Sequence, residues 1–225
     1  MVGKRLFDFI VSTAAFVVLS PLFLLTSLAI RLEGRGPILY RGLRVGKDGK
    51  LFHILKFRTM VPNAEKLGGS CTADDDPRIT RLGRLLRKYK LDEIPQFLNV
   101  IAGEMSLVGP RPEVQKYVEM YCGEEKRILG LRPGITDWAS IWNSDEGGVL
   151  KGAADPEKAY EEILRPTKIA LQLRYVDESS LLVDLKILVY TVIRLSNKNW
   201  LPPEISEYGS PLQGRLQPAE AARKA

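Results

Sequence analysis

Asp92 and Glu93 are adjacent carboxylates in a chain rich in cations, and they are the residues best suited to do chemistry. At the start of a helix such a pair commonly caps free N–H groups and complements the dipole. Beside many cations it has two further uses. The carboxylates can hold Mg2+, which takes oxygen ligands and bridges to phosphate oxygens. One of them can also attack phosphorus as a nucleophile. Lys56, Arg58, Arg87 and Arg111 are candidates to neutralise a diphosphate. Arginine suits this task because its planar fork grips phosphate oxygens in pairs. Arg111 stands out because Pro110 and Pro112 stiffen the backbone on either side of it. Taken singly, each cation also reads as a surface charge or a salt-bridge partner.

Other chemistries have less to build on. His53 is the single histidine and lies in a β-like run without a companion ligand, so it reads as structural. Cys71 and Cys122 form no CxxC pair and read as free thiols of a reducing compartment. The net charge of +6 and pI near 9.3 point to an anionic partner: nucleic acid, phosphorylated substrate or acidic lipid. With 225 residues, 45% hydrophobic and 27% charged, the chain can build one packed domain plus appendages.

The elements that must position these residues begin with an apolar segment. Phe9 to Ile30 carries no charge, a length in the range of a bilayer-spanning helix. Three readings are open: a cleaved signal peptide, a kinked single span, or a segment that enters one leaflet and returns. The stretch is longer than a typical signal core. Ser20-Pro21 interrupts its middle, where proline removes a hydrogen bond and bends or breaks a helix. Lys4 and Arg5 precede it, and Arg31, Arg35, Arg41 and Arg44 follow. Positive charge at both flanks favours the cytoplasmic side for both.

Beyond Gly36-Pro37, a β-hairpin is expected from Ile38–Arg41 and Leu51–Arg58 around a Gly46-Lys47-Asp48-Gly49 turn. Asn63 to Asp76 reads as a loop. Arg78 to Lys90 reads as a basic amphipathic helix with Ile79, Leu82, Leu86 and Tyr89 on one face, suited to an anionic membrane surface. Further helices are expected over Ile94–Ile101, Glu113–Ile128, Asp155–Val176 with a bend at Pro166, and from a Ser179 or Ser180 cap to Leu195. The division is residues 1–35 for the membrane segment, 36–196 for a catalytic domain and 197–225 for a flexible, Pro/Gly-rich tail.

Taken in order, these pieces resemble a known family. Lys4-Arg5-Leu6-Phe7-Asp8, Ser20-Pro21, Lys56-Phe57-Arg58-Thr59-Met60 and Asp76-Pro77-Arg78-Ile79-Thr80 come first. Leu91-Asp92-Glu93-Ile94-Pro95-Gln96, Asn99-Val100, Met105 to Glu113 and Arg132-Pro133-Gly134-Ile135-Thr136 follow, with a weaker likeness in Asp184 to Leu188. The chain resembles the bacterial sugar transferases, the monotopic phosphoglycosyl transferases, in their short catalytic-domain form. The resemblance implies a mainly α fold with a small β-hairpin. It implies an N-terminal re-entrant membrane helix broken at Ser20-Pro21, amphipathic interfacial helices and a compact cytosolic catalytic domain on the inner membrane. It implies transfer of a sugar 1-phosphate from a UDP-sugar to polyprenyl (undecaprenyl) phosphate with release of UMP, at the first membrane step of surface-glycan synthesis. Asp92 would be the covalent nucleophile and Glu93 its support, with Mg2+ as cofactor. Lys56, Arg87 and Arg111 would bind phosphate or order the carboxylates. Membrane lipids are implied partners, and a homo-oligomer is left open.

Two departures stand out. Asp137-Trp138-Ala139-Ser140 replaces the usual Gly-Trp-Ala-Gln, with no arginine following where relatives often carry one, and Lys90 stands where many relatives have Ser or Thr. The altered stretch motivates the alternative of a non-catalytic assembly or regulatory protein on the same scaffold. Nucleic-acid binding rests on charge alone, with no recognisable binding module.

Overall fold

The computed structural model describes residues 2–69, 71–209 and 211. Helix α1, Val2–Glu33, is followed by an antiparallel hairpin of β1, Leu39–Val45, and β2, Leu51–Phe57. Helices α2, Arg81–Lys88, and α3, Gln96–Ala102, flank a 3-10 turn at Leu91–Glu93. Strand β3, Ser106–Val108, pairs in parallel with β4, Gly134–Thr136, across a crossover that contains α4, Gln115–Val118, and a 3-10 stretch at Gly123–Gly130. The remainder is helical: α5 Trp138–Trp142, α6 Glu146–Leu150, α7 Pro156–Ala159, a π-turn at Tyr160–Leu164, α8 Arg165–Glu178 and α9 Leu181–Ser196. The fold is therefore mainly α with a small hairpin, as expected.

Helix α1 is the one described helix long and apolar enough to cross a membrane. Its polarity is inverted relative to a helix of a soluble protein. Asp8, Ser12, Thr26 and Ile30 are buried against the body, whereas Val17, Val18, Leu24, Leu25, Leu28 and Leu32 face outward, Val18 and Leu32 with three-quarters or more of their surface exposed. The helix runs uninterrupted through Ser20-Pro21, where a break was expected. Pro21 leaves the Val17 carbonyl without its amide. The Ser20 hydroxyl donates to that carbonyl at 2.7 Å and takes the amide's place.

Both ends of α1 are seated on the same body. At its start, Lys4 donates to the Val108 carbonyl and to Asp184, and Arg5 to the Val100 and Ile101 carbonyls. At its end, Ile30 is buried with Phe57, Leu86 and Ile94. Arg58 closes this end by donating to the carbonyls of Ile30, Gly34 and Arg35 at 2.9–3.1 Å. Gly36, with φ +122°, is required here, because a Cβ would stand 2.5 Å from the Arg58 guanidinium.

The main core gathers around Trp138, Trp142, Leu164, Leu171, Tyr175 and Ile187. Three sequence expectations change. The helix expected over Glu113–Ile128 shrinks to α4, because Gly123 turns at φ +48° and the chain continues as 3-10 turns. Where a bend was expected at Pro166, the preceding turn is a π-turn, Tyr160–Leu164, and Pro166 lies in the first turn of α8. Residues 197–209, expected as the start of a flexible tail, pack on the body. Ile205 is fully buried, Trp200 stacks edge-on against Tyr190, and the Trp142 indole donates to the Gly209 carbonyl. The rest of the expected tail, apart from residue 211, lies outside the described residues.

Candidate active site

Three elements converge on Glu93. Lys56 comes from the end of β2, Asp92 and Glu93 from the 3-10 turn before α3, and Arg111 from the loop after β3. Asn99 ties the first two together: its side chain accepts from the Leu55 amide at 2.9 Å and donates to the His53 carbonyl at 2.8 Å. This sets the strand carrying Lys56 against α3. Lys90, left-handed at φ 56°, turns the chain out of α2 and into the 3-10 turn. Arg111 is placed by the parallel pair. Gly109 and Gly134 approach so closely that a Cβ on Gly134 would lie 2.1 Å from the Gly109 nitrogen, so neither position tolerates a side chain.

Both oxygens of Glu93 are engaged. Lys56 Nζ donates to Oε1 at 2.9 Å, and the Arg111 guanidinium donates to both Oε1 and Oε2, the latter at 3.2 Å. Burial opposes the charge on Glu93, but Arg111 and Lys56 outweigh it and hold the carboxyl well below the usual range. Burial lowers the Lys56 pKa, with Glu93 acting in the other direction. Asp92 is different. It is 7% exposed, and its Oδ1 is buried with no hydrogen-bond partner among the described residues. Burial raises its pKa, against the charges of Lys56, Lys90 and Arg87. The two neighbouring carboxyls are thus driven in opposite directions by their surroundings.

The expected cations divide. Lys56 and Arg111 meet Glu93 directly. Arg87 is half-buried on α2, where its charge acts on Asp92. Arg58 is not brought to the carboxylates: its donors are taken by the carbonyls that end α1, so the expected phosphate ligand is a helix cap.

The donor set fits Mg2+ in one respect. Asp92 presents a hard, unpartnered oxygen, and a phosphate-bridging ion needs few protein ligands. The oxygens of Glu93 are already held by cations, and the described residues contain no group of three metal-ligating side chains. Asp92, rather than the pair, is the fitting ligand.

Asp137 is a residue that sequence reasoning missed. It is fully buried, its Oδ2 accepts from the Arg111 amide at 3.2 Å, and its Oδ1 caps α5 through the Ser140 amide and hydroxyl, both at 2.7 Å. The altered Asp137–Ser140 stretch is therefore a helix cap that also fixes the backbone of Arg111. An Asp three residues before a Ser is the signal that could have revealed the cap. The Arg111 guanidinium also donates to the Ile135 carbonyl at 3.2 Å.

The model of the bacterial sugar transferase family matches residues 1–198. The exopolysaccharide production protein ExoY of Sinorhizobium fredii is 36% identical over 206 residues, 85% of this chain and 84% of that protein. The UDP-N-acetylgalactosamine-undecaprenyl-phosphate N-acetylgalactosaminephosphotransferase of Aeromonas hydrophila is 37% identical over 192 residues, 84% of this chain and 42% of that protein. The UDP-glucose:undecaprenyl-phosphate glucose-1-phosphate transferase of Escherichia coli (strain K12) is 36% identical over 200 residues, 85% of this chain and 39% of that protein. The chain thus spans most of the first relative and under half of the other two. From its matched length and from these relatives, the chain belongs to the bacterial sugar transferase family.

Proposed function

We propose that this chain moves a sugar 1-phosphate from a UDP-sugar to a polyprenyl phosphate, releasing UMP, with Asp92 as covalent nucleophile. The relatives named for undecaprenyl-phosphate sugar transfer support the reaction class. The observation that carries the assignment is the inequality of the two carboxylates. Glu93 has no oxygen to spare, whereas Asp92 keeps one buried and unpaired.

In the first step an Asp92 oxygen bonds to the sugar-bearing phosphorus, the bond from that phosphorus to the bridging oxygen breaks, and UMP leaves with the electron pair. In the second step a phosphate oxygen of the lipid attacks the same phosphorus, and the Asp92 carboxylate is regenerated. Glu93 holds Lys56 and Arg111 beside the nucleophile, where their charge opposes the repulsion between carboxylate and diphosphate. Arg87, whose side chain donates to no partner among the described residues, is suited to bind donor phosphate. Mg2+ bound through Asp92 would supply further charge stabilisation on the phosphate oxygens.

The reaction belongs at the cytoplasmic face of a bacterial inner membrane, as the opening step of a surface glycan. A course of α1 that enters and leaves on one side is supported by both its ends resting on one body. A bend at Pro21 is supported by Phe16 and Phe23, whose ring centroids lie 5.5 Å apart. Seven residues of straight helix would separate their Cα atoms by about 10 Å. The exposed apolar faces of α9, through Leu182, Leu185, Val189 and Val192, and of α2, through Leu85 and Tyr89, suit the lipid interface.

Asp92→Asn tests the mechanism. With UDP-sugars, Mg2+ and polyprenyl phosphate, UMP release should fall at least about 1000-fold while the protein stays membrane-bound. Normal turnover by this variant would sink the covalent route. A cysteine at Gly3 should react with a reagent confined to the cytoplasmic side, and labelling from outside alone would exclude the re-entrant course.

A further inference from the structure

Helix α8 carries three polar side chains in its buried face. Lys168, Gln172 and Tyr175 are spaced i, i+4 and i+7, which places them on one side of the helix. Each is at least nine-tenths buried. Polar groups are kept in a core when they are hydrogen-bonded there. All three reach one short segment, residues 108–113. Tyr175 Oη lies 3.2 Å from the Val108 carbonyl, Gln172 Nε2 donates to the Arg111 carbonyl at 3.3 Å, and Lys168 Nζ donates to the Glu113 carboxylate. The contacts run in strict order, 175 to 108, 172 to 111 and 168 to 113, so the segment lies antiparallel along α8 in one register.

The two ends of this ladder are reinforced. At Glu113, Tyr160 Oη donates to the same carboxylate oxygen at 2.6 Å, and Lys168 Nζ reaches the Tyr160 oxygen at 3.1 Å. Tyr160 opens the π-turn, an irregularity often found beside functional sites. At the other end, Tyr175 Oη donates to Asp184, which receives Lys4 from the start of α1. Between them, Gln172 Nε2 meets Asp137 Oδ2 at 3.4 Å, the oxygen that accepts the Arg111 amide.

We propose that α8 is the positioning element of the reactive centre, with Lys168 and Gln172 as positioning residues that hold the 108–113 segment in register so that Arg111 meets Glu93. Neither residue touches the carboxylate pair. They act through the backbone of Arg111 and through Glu113, two residues further on. A shift of the segment by a fraction of one residue would carry the Arg111 guanidinium away from Glu93 and leave Lys56 as the remaining cation on that carboxylate. Misplacement by about 1 Å costs on the order of 100-fold in rate. The inference rests on the reaction proposed above for its kinetic test, and on geometry alone for its second test.

The kinetic test is a double-mutant cycle on the full chain in lipid nanodiscs, following UMP release. Lys168→Met should lower kcat/KM by roughly 30-fold in the wild-type background and by less than about 2-fold when Arg111→Ala is already present. A purely structural role for Lys168 would carry the same loss into both backgrounds, and that outcome overturns the proposal. Because Lys168→Met leaves Glu113 charged and unpaired in the interior, Gln172→Leu and the paired variant Glu113→Gln with Lys168→Met are run beside it. Both should show the same non-additivity with Arg111→Ala. The second test is hydrogen exchange. The amides of Val108, Gly109, Arg111 and Glu113 should exchange faster in these variants while α9 and the β1–β2 hairpin keep their protection. Unchanged exchange in that segment overturns the proposal even if no UDP-sugar yields UMP from the wild-type protein, a result that would count against the proposed reaction instead.

Discussion

Arg58 and Arg111 are both buried or half-buried arginines beside a functional element, yet the two regions use them in different ways. At the seat of α1, Arg58 donates to three backbone carbonyls. At the proposed reactive centre, Arg111 and Lys56 donate to one carboxylate. Carbonyls at a helix end cannot be exchanged for a substrate without undoing the helix end, so Arg58 is committed to structure. A carboxylate is a partner that phosphate oxygens can join or replace, so cations held by Glu93 stay available for chemistry. Lys56 and Arg58 are only two residues apart, and the end of β2 at Phe57 is what sends them to different partners.

The contrast breaks most visibly at Arg111. Arg111→Ala is expected to lower kcat/KM by about 100- to 1000-fold, with co-sedimentation with membranes unchanged. Wild-type turnover by this variant would remove the distinction between the two regions. Arg58→Met should show the reverse profile. Three carbonyls lose a charged donor, so the unfolding free energy should drop by about 3 kcal/mol, read from a denaturant midpoint. Turnover per folded molecule should stay within about 3-fold of wild type. If turnover collapses while the midpoint holds, Arg58 belongs to the site after all. A third arginine marks the shallow end of the scale. Arg78 closes the 64–78 loop, donating to Asp76 and to the Ala64 and Gly69 carbonyls. The hydrogen bond from Arg78 holds the Asp76 carboxyl below its usual range. A depressed carboxylate contributes stability above its unfolded value, about 3.9, and loses it as pH falls through the folded value. Asp76→Asn should therefore cost about 1 kcal/mol at neutral pH, and thermal melts should show the gap to wild type closing below pH 4. A gap that stays constant down to pH 2 would rule out the ion pair as its source.

Much of this was legible in advance where it depended on neighbours in the chain. The hairpin followed from two β-rich runs around a Gly-Lys-Asp-Gly turn, with β1 running on to Val45, beyond the expected Arg41, and pairing with β2 from Leu39 opposite Phe57 to Val45 opposite Leu51. Helix α9 begins at the second of its two expected caps, Ser179 and Ser180, with the Ser180 hydroxyl accepting from the Val183 amide. Helix α2 starts later than expected, at Arg81, because Thr80 caps the Gly83 amide while Asp76 holds Arg78 in the preceding loop. The strands β3 and β4, three residues each, left no periodic signal, because a run so short has no alternation to read.

The sequence by itself determined the membrane-competent helix and the mainly helical class, and it marked Asp92-Glu93 as the candidate centre, because these depend on residue type, spacing and motif order along the chain. Only the tertiary structure decided which carboxylate is held and which is free, that Arg58 closes α1 while Arg111 serves Glu93, that Asp137 and the face of α8 set Arg111 in place, and that residues 197–209 cover the core. Each of these is a choice of partner between residues distant in sequence, and a side chain's pKa, burial and remaining hydrogen-bonding capacity depend on that partner.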